Sequence, residues 1–152
     1  MNLQIREVSK DNWKTIACLS VSQEQEAFIE SNSFSILQSI FEEEWYSVGL
    51  YVDDKAIGYA MYGEDKDSGD IWLDRFMVDR HAQGNGYAAK LLPKLLSLIE
   101  KQYDYPAHIY LSVTSDNIHA QQFYRKFGFR FNGEQDNNGL IHGMIMVRYN
   151  QS

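Results

Sequence analysis

V-D-R-H-A-Q-G-N-G-Y-A, residues 78–88, stands between two segments of different period. Before it, IWLDRFMV (71–78) reads as a strand; after it, Ala88, Leu91, Leu92, Leu95, Leu98 and Ile99 recur at helical spacing. Gly84 and Gly86 let the backbone turn sharply and approach a ligand closely. The first N–H groups of the following helix have no internal partners, so together with the helix dipole they form an anion site suited to a pyrophosphate. A glycine loop that merely reverses the chain is the alternative.

Upstream, Leu3, Ile5 and Val8 predict a short first strand, and Ser9 to Asn12 offer caps for a helix carrying Trp13, Ile16, Ala17 and Ser20 on one side. Residues 23–45 are less regular: Phe28, Ile29, Ile36, Leu37, Ile40 and Phe41 suggest one or two short helices with a bend at 31–33. VGLYV (48–52), the turn Asp53-Asp54 and AIGYAMYG (56–63) predict an antiparallel hairpin. Downstream, HIYLSV (108–113) reads as a strand. Ala120, Phe123, Tyr124 and Phe127 then form one stripe of a helix over about 117–127 that Gly128 ends. Two further strands, about 129–135 and 141–149, flank a turn at 136–139. The order β, α, α, β, β, β, α, β, α, β, β predicts an α+β fold, a mixed and mostly antiparallel sheet flanked by helices. Pro93, inside the long helix, predicts a kink.

A length of 152 residues, two prolines and no linker suit one domain spanning 1–152. With 44% hydrophobic and 23% charged residues, the composition is that of a globular chain. The formal charge of −7 argues against a nucleic-acid binder and admits a cationic partner. No Lys or Arg lies between Lys14 and Lys55, whereas Glu24, Glu26, Glu30, Glu42, Glu43, Glu44, Asp53 and Asp54 do, so the rest of the chain carries +1. A solvated acidic face is the alternative, and Glu42 to Glu44 read as a solvated helix end. Cys18 is the only cysteine, which excludes an intramolecular disulfide and a thiolate cage; His81, His108, His119 and His142 lack ligand spacing, so no metal is expected. No run approaches a membrane span, and a cytoplasmic protein is expected.

Read as G-x-G-x-x-A, residues 84–89 resemble a dinucleotide fingerprint, which needs an acid about 20 residues on, at the end of the next parallel strand. Asp104 has the distance but precedes its strand. Read as Q-x-x-G-x-A, from Gln83 through Gly86 to Ala88, the same loop resembles the acetyl-CoA loop of the GNAT superfamily of N-acetyltransferases. N-I-H-A-Q-Q-F-Y-R-K-F-G-F (117–129) resembles that superfamily's N-x-x-A-x-x-F-Y-x-x-x-G-F segment. W-L-D-R-F-M-V-D (72–79) and F-N-G-E (131–134) are most similar to the small bacterial spermidine/spermine acetyltransferases. The resemblance spans nearly the whole chain and is weakest over 23–46.

That resemblance implies the GNAT fold and acetyl-CoA as cosubstrate. Gln83, Gly84, Asn85, Gly86, Tyr87, Ala88 and Ala89 would hold the pyrophosphate, and the strand edge at Phe76, Met77 and Val78 would pair with the pantetheine arm. One N–H of that edge would polarise the thioester carbonyl. Asn117 and Ala120 carry over as further contacts. Tyr124 carries over as the general acid for the departing thiolate, while the residues alone also allow a core tyrosine.

Asp74 is the candidate base or amine anchor, acting directly or through a water. Alternation places Asp74 with Phe76 and Val78 on one face and Arg75 with Met77 on the other, which argues against an Asp74–Arg75 ion pair. Known polyamine acetyltransferases place a glutamate at this point; the aspartate is one methylene shorter. The implied acceptor is a polyamine, with Glu24, Gln25, Glu30, Ser31, Asp74 and Glu134 as polar contacts and Tyr62 and Trp72 as cation–π surface. Direct attack in a ternary complex is expected, since no histidine accompanies Cys18 in a nucleophile pattern. A protein or peptide amine acceptor and a non-catalytic acyl-CoA sensor are the alternatives. A homodimer is implied by family analogy alone.

Overall fold

Seven strands, some with alternating apolar residues and the central ones apolar on both faces, are assembled into a single open sheet in a computed structural model describing residues 1–150. Strand β1 is Leu3–Glu7, followed by helix α1 (Trp13–Ala17), a 3-10 helix (Gln23–Phe28) and α2 (Asn32–Phe41). Then come β2 (Trp45–Val52), β3 (Lys55–Glu64), β4 (Ile71–Val78), α3 (Tyr87–Gln102), β5 (His108–Val113), α4 (Ile118–Arg125), β6 (Phe129–Asp136) and β7 (Gly143–Tyr149). The sheet order is β1-β2-β3-β4-β5-β7-β6, with β4 and β5 parallel and every other neighbouring pair antiparallel. The expected α+β architecture and element order hold. Asp53 and Asp54, with φ of +48° and +68°, form the two-residue β2–β3 turn whose left-handed residues match strand twist. No helix among the described residues is long and apolar enough to cross a membrane.

The two faces of the sheet carry different helices. Leu91, Leu92, Leu95, Leu96 and Ile99 of α3 and Tyr124 of α4 pack on Leu50, Ala60, Tyr62, Leu73 and Val78. Ile16 of α1 and Ile36 of α2 pack on Tyr51, Tyr59, Met61 and Met77 across the sheet. The five buried α3 side chains contribute roughly 10 kcal/mol of transfer free energy before entropy, several times the ~3 kcal/mol that an interior proline costs a helix. The helix therefore runs on through Pro93, which lies on its exposed side. Trp13, expected on the buried side of α1, is exposed, because the helix is only five residues long and buries Ile16 alone.

One irregularity positions the site. Along β3 and β4 the register passes from Met61↔Arg75 to Tyr62↔Leu73, so Asp74 is an extra residue on β4, a β-bulge. The bulge resets the alternation: Leu73, Phe76 and Val78 join the α3/α4 core, while Met77 joins the α1/α2 core. Asp74 and Arg75 consequently lie side by side and form an ion pair. The expected separation of these two residues onto opposite faces is thus corrected, because strict alternation fails at a bulge.

Candidate functional site

β4 and β5 are register partners only at Trp72↔Tyr110. Beyond that pair β4 continues for six residues without a β5 partner, and the strands splay toward their carboxyl ends, where open sheets that carry helices on both faces bind ligands. The resulting cleft holds about 860 Å³. Phe76, Met77 and Val78 of β4 line it, with Gln83, Gly84, Gly86, Tyr87, Ala88 and Ala89 from the loop and α3, and Asn117, Ala120 and Tyr124 from the α4 side.

The loop is built to leave its donors free. Gly84 and Gly86 have φ of +83° and +76°, with open space where a side chain would project. Gly86 is the N-cap of α3 and supplies no capping side chain, so the first-turn N–H groups of this 16-residue helix are available to an anion. Gln83 braces the loop by donating to the Val78 carbonyl at 2.9 Å and to Gln25 Oε1 at 2.9 Å. Asn85 folds its amide back onto the Ala82 carbonyl at 3.0 Å, so its side chain is turned into the loop and does not line the cleft. Asn117 caps α4 by accepting from the Ala120 N–H at 3.2 Å. Tyr124 is 9% exposed, wedged edge-on between Phe123 and Phe129. Burial alone pushes its phenol pKa upward, so the hydroxyl stays protonated at neutral pH.

The other end of the cleft is organised by Arg75. Its Nη2 donates to Glu30 Oε2 and to Gln38 Oε1, each at 3.0 Å, and its Nη1 donates to the Asp74 carboxylate and, at 3.2 Å, to the Asp74 carbonyl. The side chains of Arg75, Glu30 and Asp74 are 6%, 9% and 20% exposed. Burial pushes the Asp74 carboxyl up to about 6 against the pull of Arg75, with Asp136 and Glu30 adding to the rise. The β6–β7 loop closes on the same group: a Cβ at Gly139 would lie 3.0 Å from Glu30 Oε2. Glu30, Glu42, Glu44, Asp65, Asp67, Asp74 and Asp136 line the cleft against only Arg75 and Lys66, an excess that favours a cation. Trp45 and Trp72 add aromatic surface, Trp72 stacking on Tyr110 at 5.4 Å.

Of the acceptor residues expected from sequence, Gln25, Glu30, Trp72 and Asp74 reach the cleft. Tyr62 does not: it faces the α3 core, and its hydroxyl donates to Gln102 Oε1 at 2.7 Å. Ser31 is committed to capping α2, accepting from the Phe34 N–H at 3.1 Å. Glu24 and Glu134 are exposed and lie outside the lining. Glu42 and Glu44, read as a solvated helix end, sit instead on the cleft wall, because α2 stops at Phe41 and the chain bends into β2 there. Arg75, Gln38, Asp136 and Trp45 carried no local signal of site membership; only the turn at 136–139 marked Asp136, and that as a hairpin.

A model of the acetyltransferase (GNAT) family matches residues 10–129. The chain is 42% identical over 146 residues to the spermine/spermidine N(1)-acetyltransferase of Bacillus subtilis strain 168, an alignment covering 91% of this chain and 95% of that protein. Its fold resembles the crystal structure of spermidine N-acetyltransferase from Vibrio cholerae in complex with CoA and spermine, with a TM-score of 0.74 and 18% identity over 97% of this chain and 95% of that one. It also resembles AAC(6')-Ib in complex with ribostamycin and coenzyme A, with a TM-score of 0.79 and 15% identity over 99% and 95% of the two chains.

Proposed function

The chain belongs to the GNAT acetyltransferase family, and we propose that it moves the acetyl group of acetyl-CoA to a primary amine of a linear polyamine such as spermidine or spermine. The observation that carries the acceptor assignment is the continuity of one cleft from an anion-binding helix start to a wall of carboxylates. A polyamine is a string of ammonium groups on short alkyl spacers, and that wall with Trp45 and Trp72 offers both the countercharge and the aromatic faces it needs. The Bacillus relative, alike over nearly the whole chain, supports the same acceptor class.

The residues fit acetyl-CoA. The free N–H groups at Gly84 to Ala89 suit its pyrophosphate, and the unpartnered edge of β4 at Phe76 to Val78 suits its amide-bearing arm as an added strand. The cosubstrate supplies a thioester, whose carbonyl oxygen a β4 backbone N–H would hold as negative charge develops. An ammonium of pKa near 10 must shed a proton before it can attack. Asp74, ionised above about pH 6, accepts that proton, and the lone pair it frees bonds to the carbonyl carbon. As the C–S bond breaks, Tyr124 donates its phenolic proton to the departing sulfur; the second proton that the nitrogen sheds on becoming an amide restores the phenol, and the one held by Asp74 passes to solvent. We place the reaction in the cytoplasm, a reducing compartment in which an exposed free thiol such as Cys18 persists.

Steady-state CoA release tests the acceptor. Turnover is expected with spermidine and spermine in preference to aminoglycosides and lysine-tailed peptides, and no polyamine turnover would overturn the substrate. Glu30→Gln should raise KM for spermine more than KM for acetyl-CoA.

A further inference from the structure

A cation buried in a cavity meant for cations calls for a reason, and the contacts of Arg75 supply one. Its guanidinium reaches three elements: Asp74 on its own strand, Glu30 in the segment before α2, and Gln38 on α2. Two carboxylates share one positive charge, so the group keeps one net negative charge facing the cleft, the complement of one ammonium. Without the guanidinium, two largely buried carboxylates would confront each other, and one would hold its proton. A lysine would supply the same single charge but has no planar fork to bridge three partners in fixed directions.

We propose that Arg75 is a positioning residue for the transfer, fixing the Asp74 carboxylate toward the amine and keeping it ionised, while Glu30 and Gln38 hold the guanidinium in place. This rests on the assignment of Asp74 as the group that takes the amine proton. The groups that act on Asp74 are Arg75 on β4, Glu30 before α2, Asp136 at the end of β6, and the Tyr59 phenol on β3. Arg75 is the sole cation among them. Tyr59 is not available as a charge, since burial pushes it up to about 12 and its hydroxyl bonds to Ser47 Oγ at 2.6 Å.

The test is the acidic limb of the pH profile of kcat/KM for spermine, which reports the free enzyme. Arg75→Gln should move that limb up by about one pH unit or more, the effect of removing an adjacent opposite charge. Glu30→Gln should move it down, because a like charge is lost. Arg75→Lys should leave the limb near its original place while lowering kcat, with KM for acetyl-CoA unchanged. Shifts of opposite sign from the two charge-removing variants cannot come from loosened packing. If Arg75→Gln does not fold, the downward shift in Glu30→Gln together with the kcat loss in Arg75→Lys decides the matter. A limb that stays in place in both charge-removing variants, or in Glu30→Gln alone where only that variant folds, overturns the role of Arg75. Asp74→Asn separates the two levels: if it keeps the wild-type rate and limb, the assignment of Asp74 falls; if it abolishes the limb while the charge variants leave it unmoved, only the role of Arg75 falls.

Discussion

Tyr124 and Asp74 are tuned in the same direction by burial, yet to different ends. The phenol is kept protonated and the carboxyl is brought near the pH at which it both loses and accepts a proton. Tyr124→Phe removes only the hydroxyl from a well-packed ring, so the fold should persist while kcat falls by ~100-fold, with both KM values within a factor of two. Asp74 has a consequence for stability. Its folded pKa of about 6 lies above the ordinary aspartate value of 3.8, so the stability it contributes is fully present below about pH 4 and is lost as pH rises through 6. At pH 8 Asp74→Asn should therefore stabilise the protein by roughly 3 kcal/mol, seen as a rise in Tm of about 10 °C that all but vanishes at pH 4. The variant that gains this stability should lose turnover, as expected where an active site holds an unfavourable charge.

At the scale of elements, the start of α3 and the bulge in β4 do different work. Gly86 in the left-handed region ends the loop and leaves the helix N–H groups uncovered. Gly86→Ala meets no steric obstacle in the protein, so its cost is the ~1 kcal/mol of an L-residue at positive φ plus a methyl group in the space an anion would occupy. KM for acetyl-CoA should rise several-fold while KM for the amine stays constant, checked by varying each substrate at saturation of the other. This loop was legible in the sequence because its information is local: a change of period, two glycines and a helix start lie within eleven residues. The bulge was not legible. It depends on how β3 pairs with β4, and nothing in WLDRFM taken alone marks residue 74 as supernumerary.

Taken as a whole, the molecule is two groups of strands that share the core beneath α3 but are joined within the sheet by one parallel register pair, Trp72↔Tyr110, with the cleft between them. A ligand lying along β4 and contacting α4 bridges the two groups, so binding and folding are coupled. Acetyl-CoA at 100 times its Kd should stabilise the protein by about 2.7 kcal/mol, visible as a rise in Tm of several degrees in a thermal melt. The charge distribution also resolves at this scale. Of the eight acids in the base-free stretch 15–54, Glu30, Glu42 and Glu44 line the cleft, where Asp65, Asp67, Asp74 and Asp136 from outside that stretch join them. The charge asymmetry pointed to a cationic partner, but the wall that would meet it is assembled from four separate parts of the chain.

Periodicity, turn residues and caps act between neighbours a few positions apart, and on those grounds the sequence alone determined the element order, the Asp53-Asp54 hairpin and the glycine-bounded start of α3. Tertiary structure decided which side chains share a space. The pairing of β3 with β4 set Asp74 beside Arg75, and the packing of α2 brought Glu30 and Gln38 to the same guanidinium. It also turned Tyr62 into the α3 core, where its hydroxyl meets Gln102. These outcomes depend on strand register and on contacts between residues dozens of positions apart, a competition among partners that no local stretch of sequence encodes.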